Sequence, residues 1–143
     1  MRNLPCVLAL AAAAAAAAPQ MGSAGDTVRI TEQQSRWESG YGSTFFNIVG
    51  KLTNAGDQPV RYVRLKAELL DKDGKVVAST DFFNYKAEGL GRDDLKGSLD
   101  DKLAQVKPQP IPPDGSDNFR CSFLKEETPP FATHRVTVTA VGQ

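Results

Sequence analysis

From Phe46 to Val77 the chain alternates apolar and polar residues, breaks, and alternates again. Phe46, Ile48, Gly50 and Leu52 fall on one face of a strand, and Asn47, Val49, Lys51 and Thr53 on the other, because successive side chains of a strand point to opposite sides. Asn54 to Asp57 supplies turn residues, and Pro59 opens the next strand, where a missing N–H is tolerated. Val63, Leu65, Ala67 and Leu69 then alternate with Arg64, Lys66 and Glu68. This is the clearest half-buried strand, with mixed charges facing water. Asp71-Lys72-Asp73-Gly74 reads as a hairpin turn. Lys75 to Phe83 resumes as a strand whose inward face is ambiguous, since Val76/Ala78 and Val77/Ser79 compete for it.

The flanks add weaker elements. Asp26 to Gln34 predicts a polar edge strand around Val28 and Ile30. Ser35 to Ser43 sets Trp37 and Tyr41 among Gly40 and Gly42. It reads as a loop that either lays a ring over the end of the fold or presents one to a ligand. Leu95, Leu99, Leu103 and Val106 have helical spacing. They predict one or two helical turns inside a long 84–107 crossover that covers an open side. Pro108, Pro110, Pro112 and Pro113 form a stiff lead-in. Asn118 to Leu124 follows as a strand with Phe119, Cys121 and Phe123 on one face. Thr128-Pro129-Pro130 interrupts, and His134 to Val141 closes the chain as a strand. The expected fold is mainly β, an immunoglobulin-like two-sheet Greek-key sandwich of about seven strands.

With 143 residues the chain has room for one ordinary domain. Its start is a leader. Arg2 gives a positive charge, and Val7 to Ala18 is an apolar run too short to span a bilayer of about 30 Å. Gly22-Ser23-Ala24 puts small residues where a signal peptidase reads, so residues 1–24 are expected to be removed and 25–143 to form the domain. The protein is then periplasmic or secreted, with no stable membrane anchor after cleavage. Cys121 is the one cysteine beyond the leader, so no internal disulfide is available. Seventeen basic residues balance seventeen acidic ones. That balance, with no basic patch interleaved with aromatics, argues against nucleic acid as a partner.

At Gly50-Lys51-Leu52-Thr53-Asn54, and again from Ala67 through Leu69-Leu70-Asp71 to Gly74, the chain resembles the FxLYD family of bacterial exported domains. Ala67 stands where that family usually has Phe, and Leu70 where it has Tyr. The Pro-rich lead-in and Asn118–Phe123 resemble its late strand. The resemblance implies an immunoglobulin-like sandwich and carries over no catalytic residue.

Candidate chemistry is sparse. Asp71, Asp73 and Asp81 do not follow the spacing of an EF-hand loop. Asp93-Asp94 and Asp100-Asp101 are acidic pairs in the crossover that a weak calcium site could use, or a solvated helix face. His134 is the only histidine, too few nitrogen ligands for zinc or copper. Cys121 is expected to point into the core and be inert. No catalytic residue, metal or cofactor is expected. The leading expectation is a non-catalytic interaction module of the cell envelope, holding another envelope protein through sheet edges and the aromatics Trp37, Tyr41 and Tyr85. The alternative is a protein that binds a small ligand or surface polymer, with the 84–107 crossover as a lid over Tyr85, Leu90 and Leu95.

Overall fold

The computed structural model describes residues 27–143. The expected leader, its cleavage after Ala24, and Cys6 lie outside them. The described residues form six strands: β1 (Val28–Gly40), β2 (Ser43–Asn54), β3 (Tyr62–Leu70), β4 (Val76–Phe83), β5 (Ser116–Leu124) and β6 (Thr133–Gly142). That is one fewer than the roughly seven that the sequence pattern predicts. Two antiparallel sheets result, ordered β1-β2-β5 and β4-β3-β6. The chain changes sheet after β2, after β4 and after β5. The first two crossings share one end of the fold. The third lies at the other end, beside the tips of the β1–β2 and β3–β4 hairpins.

The alternation of Phe46–Leu69 builds the core. Phe46, Ile48 and Leu52 of β2 join Phe119, Cys121 and Phe123 of β5 on the inner face of one sheet. Val63, Leu65, Ala67 and Leu69 of β3, with Val136 of β6, supply the other face. The aromatic layer needs a gap at Gly50, because a Cβ there would collide with the ring of Phe119 and with the Glu32 carbonyl. Lys66 and Glu68 lie on the outer face as expected, half-buried rather than fully exposed, and Glu68 accepts from Arg135 at 2.9 Å.

Two bulges explain what alternation alone left unclear. In β4 the register steps from Leu70↔Val76 to Leu69↔Ala78, so Val77 is an extra residue and the inward set changes phase there. Ala78, Thr80 and Phe82 then stand opposite the inward residues of β3. In β1 the step falls between Ile30 and Glu32. Beyond it Gln33, Ser35 and Trp37 stand opposite Gly50, Ile48 and Phe46.

The expected loop at Ser35–Ser43 is instead a strand, a two-residue turn and the start of another strand. β1 pairs with β2 residue by residue up to Gly40↔Ser43. Tyr41 and Gly42 both have positive φ, 54° and 79°, as a tight two-residue hairpin of type I′ requires. At the second hairpin the Asp71 carboxylate accepts from the backbone N–H groups of Asp73 and Lys75, each at 2.9 Å, and Gly74 takes φ 82°.

The crossover holds the one or two helical turns expected and, before them, a second helical segment. A 3₁₀ segment, Tyr85–Gly91, precedes α1 (Leu99–Val106). Ser98 caps α1 and Asp101 returns the bond to the Ser98 N–H, a capping box. Leu95 precedes the helix, while Leu103 and Val106 pack with Ala87 and Leu90 against Tyr62 and Phe83. These residues form a second small apolar cluster, so the crossover covers one end of the β4-β3-β6 sheet.

Polar groups tie this end together. Asn84 is fully buried. Its side-chain oxygen accepts from the Val63 N–H at 2.8 Å, and its amide donates to Asp117 at 2.8 Å. Asp117 also accepts from the Lys86 N–H. β3, the 3₁₀ segment and β5 are thereby locked by one side chain each from Asn84 and Asp117. Asn54, also fully buried, donates to the carbonyls of Gln58 and Ile111 and accepts from the Gly56 N–H.

Candidate functional site

Trp37 faces inward on β1, but the opposite sheet does not cover it. β6 lies on the β1 side of the sandwich, and the segment Lys125–Ala132 runs past the gap between them. Trp37 is 47% exposed. Its ring centroid is 5.2 Å from Phe46 and 5.9 Å from Phe131. Phe46 and Phe131 meet edge-to-face at 4.9 Å, and His134 approaches Phe46 at 5.7 Å. The aromatic cluster thus continues the core out to the surface.

Beside it lies an open groove of about 590 Å³, walled by Ser35 and Trp37 on one side and by Lys125, Thr128 and the Pro129–Ala132 run on the other. The far wall is held in place. The Thr128 hydroxyl donates to the Leu124 carbonyl at 2.6 Å, and the Ala132 N–H donates to the Leu70 carbonyl at 2.8 Å. Pro129 and Pro130 restrict the backbone between those two anchors. The result is a preformed apolar floor with a hydroxyl and an ammonium at the rim, a surface suited to binding.

The three aromatics expected to meet a partner do not meet one another. Trp37 and Tyr41 share the β1–β2 hairpin at the groove end, where Tyr41 caps the tip with its side chain fully in solvent. Tyr85 follows Phe83, which pairs with Arg64 near the start of β3. It is 61% exposed at the opposite end of the fold. There Leu90 is 2% exposed against Ala87 and Leu103. The crossover therefore closes on its own cluster, the packing expected of a cover.

The outer face of the β1-β2-β5 sheet holds a polar group that the alternation pattern did not single out. Asn47 is buried, donates to Glu38 and accepts from the Ser122 hydroxyl. Glu38 also accepts from the Arg36 Nε at 2.8 Å, with Arg120 at 3.5 Å. The bonds from Arg36 and Asn47 hold the Glu38 carboxyl below its usual range. This network fixes the backbone of β1 directly beneath Trp37.

Cys121, His134, Asp94 and Asp101 sit at packed or paired positions. Cys121 is buried, and burial pushes its thiol up to about 12. A thiol reagent attacks through the thiolate. Native protein is therefore expected to resist labelling that unfolded protein undergoes quickly; fast native labelling would mean β5 sits in the reversed register. Burial lowers the pKa of His134, whose ring neighbour is Phe46. Asp94 pairs with Arg92 at 2.6 Å, and Asp101 is spent on its capping box. Among the described residues no three His, Cys, Asp or Glu side chains are grouped to hold a metal ion. No described helix is long and apolar enough to cross a membrane. Known protein families, curated protein sequences and solved structures give no match to the chain.

Proposed function

We propose that the chain is an exported, non-catalytic interaction module of the bacterial cell envelope that holds another envelope protein in the groove beside Trp37. One observation carries the reading: a large indole stands half-exposed over a packed aromatic cluster, on a rigid strand, at the mouth of a preformed groove. Aromatic anchors in such settings dominate protein–protein binding energy. Export rests on the leader at residues 1–24. An immunoglobulin-like fold is part of the proposal: in it β1-β2-β5 and β4-β3-β6 would correspond to strands A-B-E and C′-C-F, while the FxLYD resemblance rests on the sequence motif. A seventh strand, G in that scheme, would lie on the free side of β6.

Site-specific photocrosslinking in exporting cells tests the function. A photoreactive residue at position 125, on the groove rim, is expected to yield one discrete protein adduct. That adduct should vanish when Trp37→Ala is added. The same residue at position 85, at the opposite end, is expected to yield none. An adduct from position 85 alone, or one from position 125 that ignores Trp37→Ala, would sink the reading.

A further inference from the structure

β1 hydrogen-bonds only to β2, so its other edge is unpaired. At 13 residues it is the longest described strand. A free edge is a template for another strand, and its side chains decide which strand fits. The midpoint of Val28–Gly40 is Gln34, with Glu32 two residues before it and Arg36 two residues after. Lay a second β1 antiparallel along this edge in full overlap. Glu32 then faces the partner's Arg36, and Arg36 faces the partner's Glu32. Glu32, Gln34 and Arg36 all lie on the outer face, opposite Lys51, Val49 and Asn47. A two-fold axis through Gln34 keeps that face on the same side in both copies, so the opposite charges meet.

Both side chains are exposed and keep unused polar atoms for this. Glu32 is 69% exposed and reaches Lys51 only at 3.6 Å. Arg36 is 64% exposed and meets Glu38 through Nε, and a guanidinium has further donors to offer. The bulge at Thr31 ends regular pairing on each side, so the two charge contacts stand at the ends of the central run. The other free edges lack this symmetry. Full overlap of β5 would set Arg120, its midpoint, against itself. Among Asp, Glu, Lys and Arg, β4 carries only Asp81 and β6 only Arg135.

We propose that two copies of this chain pair through their β1 edges, joining two three-stranded sheets into one of six, with reciprocal Glu32–Arg36 contacts setting the register. The proposal does not rest on the partner reading. It places both Trp37 grooves on one side of the joined sheet.

Sedimentation equilibrium of the purified chain, with no other protein present, tests it. Wild type is expected to show a monomer–dimer equilibrium. Glu32→Lys makes two Lys–Arg contacts across the edge and Arg36→Glu makes two Glu–Glu contacts, so each is expected to weaken the dimer roughly tenfold or more. Mixing the two variants in equal amounts restores both opposite-charge contacts and should bring the dimer back. The mixture controls for misfolding, because a variant that failed to fold could not recover. A monomeric wild type, a dimer indifferent to both variants, or a mixture that stays apart would each overturn the proposal.

Discussion

Asn84→Ala is expected to cost about 3 kcal/mol or more, because it strips partners from two buried groups at once. The Val63 N–H loses its acceptor and Asp117 loses a donor, and neither site is open to water. A domain of this size holds about 5–15 kcal/mol in all, so chemical denaturation should show a large loss. Asn84→Asp separates the hydrogen bonds from simple packing. It keeps the shape and the acceptor for Val63 but sets a second carboxylate against Asp117. One proton shared between them would restore the bond, so the pair takes up protons in the folded variant more readily than in the unfolded chain. When the native state binds more protons, stability rises as pH falls. The variant should therefore regain stability on mild acidification, over a range where wild type does not. A loss for Asn84→Ala within about 0.5 kcal/mol, the range of an ordinary surface change, would show that the clamp is not closed.

Leu65→Ala is expected to cost roughly 2–5 kcal/mol, from lost transfer energy and the cavity left behind. Leu65 is fully buried between Phe82 on β4 and Val138 on β6. Lys66→Ala, one residue on and on the outer face, should cost only about 0.5 kcal/mol. Urea melts of the two variants compare the faces of β3 directly. Equal losses, or a larger one for Lys66→Ala, would mean that β3 does not have one buried face.

The centre of the fold was legible because period two is easy to read where one face is dry. β2 and β3 run between a packed core and solvent, and their apolar residues show it. β1 was only half legible. Past the bulge at Thr31 its inward row is Gln33, Ser35 and Trp37, and an edge without a facing sheet has no need of apolar alternation. The signal that could have found the hairpin is Tyr41-Gly42, two residues able to turn between Gly40 and Ser43. In β4 the bulge at Val77 changes the phase partway, which no fixed period reveals. In the crossover, Leu103 and Val106 betrayed the helix by spacing, and Ser98 with Asp101 marks its start. Asn84 and Asp117 lie 33 positions apart, and their pairing follows from tertiary folding alone.

The candidate site divides in the same way. Trp37 and Tyr41 stood out as aromatics among glycines. Phe131, His134 and the Thr128–Pro130 wall come back from β5 at the far end of the chain, and only the β5-to-β6 crossing brings them to Trp37. Tyr85, alike in composition, lands at the opposite end because β4 and β1 finish at opposite ends of the sandwich.

Trp37 is the single tryptophan of the chain and lines the groove, so its fluorescence reports on what fills it. The most direct measurement is a titration of the purified chain with the protein crosslinked from position 125. The expected result is a saturable blue shift with protection from acrylamide quenching, as partner surface replaces water over the indole. Saturable binding that leaves the emission and the quenching of Trp37 unchanged would contradict the account, because the partner would then be held elsewhere.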